Sequence, residues 1–318
     1  MKIQDNVDRW NGDFFWQAPE ITGEIPHGDM PGDKVEIREE HIEKANIIFP
    51  ELIKQLMPVW EENPNQKIVL SVCGGSGVGK SEIASLLSFY FKQEGVGSYT
   101  LSGDNYPHKI PKYNDGERLH VFREGALKGM LAENTYTIER FEVIHEFQVN
   151  GEDAHPKHIK TYHWYDSYLR NGRKELEGYL GTENEIGFAQ VETAIRQFKE
   201  GRDKIWLKRM GREDTELWYE EVDFTEIQVL VIEWTHGNSD YFRGVDIPIL
   251  LNSTPQETLA HRRGRNRDGA IDTPFTEMVL EMEQRMLEKQ AHKAKIIVSK
   301  KGVLLSFEEY VKIMEESG

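Results

Sequence analysis

Eight consecutive residues carry the plainest chemistry in the chain. Gly74, Gly75, Ser76, Gly77, Val78, Gly79, Lys80 and Ser81 match the pattern G-x-x-x-x-G-K-[ST] at every position. Glycines in this arrangement let successive backbone N–H groups turn inward around phosphate oxygens with no Cβ in the way. A helix starting near Lys80 then points its positive end at the same anion. In such a loop Lys80 reaches the β- and γ-phosphates of a nucleoside triphosphate, and the Ser81 hydroxyl sits on Mg²⁺. The expected cofactors are therefore ATP and Mg²⁺. Context supports the match, because an apolar run (KIVLSVC, 67–73) precedes it and an amphipathic segment follows. Cys73, the one cysteine, is expected to be a small core residue at the strand end.

Other chemistry-bearing residues narrow the class. The Asn-Lys-x-Asp and Asp-x-x-Gly elements of GTPases do not occur downstream of the loop. ATP-driven motors usually end an apolar strand in Asp-Glu, whereas here the run ends Val231-Ile232-Glu233-Trp234 with a single carboxylate. A kinase needs a metal carboxylate, a base for the acceptor hydroxyl and mobile cations over the transferring phosphoryl group. Glu233 and Asp104 each follow an apolar strand, which places both at the carboxyl edge of a sheet, where ligands bind in such folds. Arg262, Arg263, Arg265 and Arg267 cluster in an otherwise acidic protein.

The elements that must position these groups follow from periodicity. Apolar residues at spacings of three and four from Ile42 to Trp60 predict a helix over 38–62, kinked or divided at Pro50. Strands are expected at 67–73, 98–102, 227–233, 247–251, 295–298 and 303–305, with helices at 81–94, 188–200 and 276–293. Residues 105–200 are dense in His, Tyr, Asp and Lys, so short helices and loops are expected before 188. Residues 205–207 look like part of a hairpin that also carries Arg209 and Arg212. The Gly-, Pro- and Asp-rich start reads as an irregular arm packing by Trp10, Phe14, Phe15 and Trp16. Doubly apolar strands alternating with helices imply a mainly parallel sheet covered on both sides.

The motifs together resemble the phosphoribulokinase and uridine kinase family of P-loop kinases. Ser102-Gly103-Asp104-Asn105-Tyr106 is similar to that family's Asp-containing motif after the second strand. Glu233-Trp234-Thr235-His236-Gly237 keeps the Glu, His and Gly of the phosphoribulokinase version, with Trp in place of the Gly usual after Glu. The run from Arg262 to Asp268 resembles the family's Arg-Arg-x-x-Arg-Asp lid with one extra residue. The resemblance covers mainly residues 67–106 and 227–270. It implies a P-loop NTPase-type α/β three-layer sandwich with an N-terminal arm and helix (1–62) and a kinase domain (63–318). Within that domain 107–226 would be an acceptor-region insertion and 259–275 the arginine lid.

By the same resemblance Asp104 is the general base, and Glu233 a metal-associated carboxylate, with Asp104 also near the metal. Arg262, Arg263 and Arg267 would close over the phosphates, Arg263 also binding nucleotide, with Asp268 orienting a guanidinium. Tyr106, His108, Lys112, Tyr113 and Arg118 follow the base directly and are acceptor-site candidates, as are Arg209 and His236. His155, His158 and His163 are expected to be surface or pocket histidines and not a metal site.

The bulk composition bounds the partners. A formal charge of -16 argues against broad nucleic-acid binding, since neutralising phosphates needs a large basic face. No window approaches the roughly 20 apolar residues of a membrane span, and the N-terminus lacks the pattern of a signal peptide. The chain reads as a soluble cytoplasmic kinase for a small-molecule hydroxyl: a nucleoside, sugar or sugar phosphate, polyol or similar metabolite. A nucleotide-binding regulatory protein or an ATPase without an acceptor is the open alternative. Self-association is open as well.

Overall fold

The computed structural model describes residues 7, 10, 16–21, 25–253, 257 and 273–317. Its chain forms two compact units: Met1–Tyr106 with Phe188–Thr254 and Leu287–Gly318, and Pro107–Gly187 with Pro255–Met286. The arginine run with Arg262, Arg263, Arg265, Arg267 and Asp268 lies outside the described residues, as do Phe14 and Phe15.

The first unit is a six-stranded sheet in the order β2-β5-β1-β6-β7-β8. These are Ile68–Gly74 (β1), Ser98–Ser102 (β2), Val229–Glu233 (β5), Ile247–Leu251 (β6), Ile296–Val298 (β7) and Leu304–Leu305 (β8). All neighbours pair in parallel except β7 with β8. This is the mainly parallel sheet expected from the run of doubly apolar strands, in the P-loop α/β sandwich that the family resemblance implies.

Strand alternation decides which helices cover which face. Ile68, Leu70, Val72, Val229, Val231, Ile249 and Leu251 pack with helix α1 (Glu39–Glu62) and helix α2 (Lys80–Gln93). On the opposite face Cys73, Leu250 and Ile297 meet Leu287, Ala291 and Tyr310. The Cys73 thiol is pushed up to about 12 by burial and donates to Ile249 O at 3.3 Å, so it is the inert core residue expected.

Helix α1 corrects one expectation. It runs unbroken through Pro50 and Pro58 for 24 residues. Its buried stripe, including Ile48, Phe49, Leu52, Ile53, Leu56 and Trp60, is held against the sheet, and tertiary packing outweighs the lost backbone bonds. The arm ahead of it packs by aromatics: Trp10 stacks on Trp60 at 5.9 Å, and Trp16 meets Phe49 at 4.5 Å.

The second unit departs further from the sequence reading. In place of mostly loops and short helices stand one long helix, α3 (Pro111–Ala132), and two of ordinary length, α4 (Ile138–Val149) and α5 (Tyr165–Glu177). Glycines bring α3 and α5 together. A Cβ at Gly125 would fall on Glu175, and one at Gly129 on Asn171. Glycines on the contact face of α3 thin its apolar stripe to Phe122, Ala126 and Met130, while α5 buries Tyr165, Tyr168, Leu169 and Leu176. Phe122, Ala126, Met130, Tyr165, Tyr168, Met278 and Met282 form the core, the last two from helix α7 (Pro274–Gln290).

Back in the first unit, helix α6 (Phe188–Lys199) leads into an antiparallel hairpin of β3 (Lys204–Met210) and β4 (Leu217–Asp223). The C-terminal helix α8 spans Phe307–Ser317.

Candidate active site

The phosphate loop links β1 to α2, as the apolar-run-then-helix pattern requires. Gly79 ends the loop at φ 93°, a left-handed conformation that disfavours any residue with a Cβ. Lys80 Nζ donates to Gly75 O at 3.0 Å, so its side chain lies back along the loop. Val78 is buried, Ser76 is exposed, and Gly75, Gly77 and Ser81 are half-buried.

The carboxylates gather beside this loop because β5 sits between β1 and β2. Glu233 lies level with Val72 on one side and Ser102 on the other. Its Oε2 accepts from Ser81 Oγ at 2.8 Å, and its Oε1 from Ser102 Oγ at 2.6 Å. Three sequence-predicted elements thus converge on one carboxyl group. Burial pushes that group up to about 8, with the charge of Asp104 adding to the rise. Ser102, Lys80 and Ser81 pull the other way.

Asp104 stands exposed on a short 3-10 turn, Gly103–Asn105, immediately after β2. The turn fits tightly against the residue that departs from the family pattern. The Trp234 ring is buried against Gly103, where any Cβ would overlap it. Trp234 also packs on Phe188 at 5.2 Å and on His236 at 5.6 Å, which leaves His236 half-buried in an aromatic setting.

The donor set suits a hard divalent cation. A hydroxyl and a buried carboxylate 2.8 Å apart, beside a second carboxyl whose charge raises the first, are oxygen ligands that positive charge would relieve. Ser81 and Glu233 are the residues that would hold Mg²⁺.

Sequence reasoning missed Asp29. This residue of the arm has 8% side-chain exposure, and both of its oxygens are fully engaged. Oδ1 accepts from Ser102 N at 2.7 Å and Asn105 Nδ2 at 3.0 Å. Oδ2 accepts from Tyr99 OH at 2.9 Å and Arg209 Nη1 at 2.8 Å. Burial, the larger effect, raises the carboxyl above its usual range, while Arg209 and the bonds from Ser102 and Tyr99 pull against that rise. The one signal available was an Asp in a Gly- and Pro-rich stretch, which reads equally as an ordinary turn residue.

The acceptor candidates scatter in their settings. Arg209 is buried, and besides Asp29 it donates to Glu220 at 2.9 Å and to Tyr99 at 2.8 Å. Its guanidinium is thereby tied into the framework. Tyr106 is buried, its hydroxyl pushed well above the usual range by burial. In the second unit His108 is exposed and bonds Glu183 O at 3.0 Å, and Tyr113 is exposed beneath Lys112. Arg118 donates to the buried Glu185 at 2.6 Å and also faces Glu283 at 3.6 Å. Arg212 sits in the turn between β3 and β4, its N–H on Glu216. His158 stacks on Phe147 at 3.6 Å, and His155 accepts from Lys157 N at 3.1 Å.

Over 240 residues, 76% of its length, the chain is 40% identical to the bifunctional alpha-galactosidase/sucrose kinase of Mediterraneibacter gnavus. The chain has a kinase for a relative. It spans only 21% of that larger protein. A lower match, 27% identical over 161 residues, joins 48% of the chain to 26% of a proline–tRNA ligase of Prochlorococcus marinus (strain MIT 9215). The D-glycerate 3-kinase of Cryptococcus neoformans var. grubii shares 13% identity at a TM-score of 0.46, over 85% of this chain and 99% of that one. No protein-family model matches the chain. The resemblance to the phosphoribulokinase and uridine kinase family of P-loop kinases is carried by the phosphate loop, the Asp104 turn and the strand-end glutamate. Among the described residues no helix is long and apolar enough to cross a membrane.

Proposed function

We propose that the chain is an ATP-dependent phosphotransferase that moves the γ-phosphate to an alcohol group of a small molecule. The observation that carries the reading is the convergence on Glu233, which joins the phosphate-loop Ser81 to Ser102 at the base of the Asp104 turn. Such an arrangement is what in-line transfer needs, since catalysis of this step is mostly positioning and charge stabilisation.

The roles follow from placement. Backbone N–H groups of residues 74–81 and the Lys80 ammonium hold the triphosphate. Ser81 and Glu233 hold Mg²⁺, which when bound neutralises charge on the phosphate oxygens. Asp104, exposed at the same sheet edge, accepts the proton of the acceptor hydroxyl as that oxygen attacks phosphorus. Arg263 and Arg267 of the lid supply further cations.

A sugar hydroxyl is the acceptor to test first, because the relative at 40% identity is named as a sucrose kinase. Nucleosides, sugar phosphates and polyols are the other classes. The test is ADP release from ATP and Mg²⁺ across sugars, polyols and nucleosides, expected to rise strongly with one class. A chain that binds ATP but shows no stimulation by any hydroxyl compound contradicts the proposal.

A further inference from the structure

The arm that precedes α1 reaches the chemistry at two points. Gly28 is buried so close to Glu233 that a Cβ there would stand 3.4 Å from Oε1. The next residue, Asp29, binds the Ser102 N–H and the Asn105 side chain, the two ends of the turn that presents Asp104. Asn105 in turn accepts from Met210 N at 3.0 Å, so the turn is gripped from the arm and from β3 together. Arg209 and Tyr99 fix the far side of the Asp29 carboxylate.

We propose that Asp29 is a positioning residue for phosphoryl transfer, the arm acting as a clasp that sets where the Asp104 carboxylate stands relative to the phosphate loop. The proposal rests on the reading of Asp104 as the base. Nothing in it requires Asp29 to touch substrate. Its two Oδ1 bonds hold the turn at both ends, and such a turn carries an exposed side chain to one place only while both ends stay held. Without them Asp104 shifts by a fraction of its own length, and misplacement on that scale costs about 10- to 100-fold in rate.

The test compares Asp29→Ala, Asp29→Asn and Tyr99→Phe in the full chain. Three quantities are read: turnover with the best acceptor, affinity for a fluorescent ATP analogue, and amide exchange of residues 99–106 against 74–83. In Asp29→Ala turnover should fall about 10- to 100-fold, with ATP affinity kept within about twofold and faster exchange confined to residues 99–106. Asp29→Asn, which keeps an acceptor for Ser102 N–H, should recover part of the loss. Tyr99→Phe, which removes one of four bonds, should move the same way by less and serves if Asp29→Ala does not fold. Faster exchange of the turn with unchanged turnover overturns the proposal and leaves the kinase reading standing. A parallel fall in turnover and ATP affinity overturns it as well, since that marks general loosening. If the wild-type chain transfers phosphate to nothing, the kinase reading fails and the catalytic part of this proposal with it, while the exchange data still report the clasp.

Discussion

Glu233 is held by two hydroxyl donors, buried, and crowded by the charge of Asp104, so its carboxyl sits far above the usual carboxylate range. A neutral amide of the same shape should therefore fit the folded chain without strain. Glu233→Gln is expected to keep the urea midpoint near neutral pH, because the amide replaces a buried carboxyl that burial already favours in its neutral form. Turnover should nevertheless fall by roughly 100-fold or more, as for loss of one preorganised group at a transferring oxygen. A variant that unfolds early, or one that turns over normally, would contradict the role given to this residue. Glu233 was legible as a carboxylate closing an apolar strand. Asp29 was not, because its partners lie 73 and 180 residues away and its own neighbourhood has the composition of any turn.

At the scale of elements, α1 does more than cover the sheet. Its His41 ring packs against the end of the phosphate loop, 3.1 Å from where a Cβ on Gly79 would lie. Burial holds His41 below its ordinary pKa, against the pull of Glu82 and Glu40, and its Nδ1 accepts from Arg38 N at 3.2 Å. That bond needs the neutral ring. The unfolded chain protonates first, near pH 6.5, so this contribution is whole above that value and declines as pH falls below it. His41→Gln should make the urea midpoint less sensitive to acidification between about pH 7 and 5.5. Some slope will persist, since burial shifts His158 the same way. An unchanged slope would show that His41 is not held neutral.

The helix pair α3 and α5 gives a second prediction at this scale. Gly129→Ala gains about 1 kcal/mol of helix propensity. The added methyl meets Asn171, which is fixed by its own bond to Ser167 O at 2.8 Å. Overpacking of that kind typically costs about 1–3 kcal/mol. Net destabilisation in chemical denaturation is expected, and a stabilised variant would contradict the packing described. The same glycines weaken the pattern of α3, whose stripe is only Phe122, Ala126 and Met130. The stripe of α5, Tyr165, Tyr168, Leu169 and Leu176, was there to be read, but it lies in a stretch whose density of His, Tyr, Asp and Lys resembles loop. The sheet was readable for the opposite reason, since each central strand is apolar on both faces and has one compatible environment.

Over the whole molecule, a formal charge of -16 surrounds a site meant for a polyanion, which places the burden of charge compensation on a few local groups. In the proposed function that burden falls, among the described residues, on Lys80, the loop amides and the Mg²⁺ that Ser81 and Glu233 would hold. The arginines from Arg262 to Arg267, visible in sequence as a basic run, lie outside them. The nucleotide half of the site was legible because phosphate binding constrains local sequence: eight residues form one loop. The acceptor half was not, because its candidates come from separate segments whose spacing carries no pattern. The most direct test labels the γ-phosphate of ATP and follows it into product with the wild-type chain and with Asp104→Asn. Labelled phosphoester of a small-molecule alcohol is expected, with a drop of about 100- to 10,000-fold in the variant and ATP still bound. Equal transfer by both proteins, or label released only as inorganic phosphate, would contradict the proposed function.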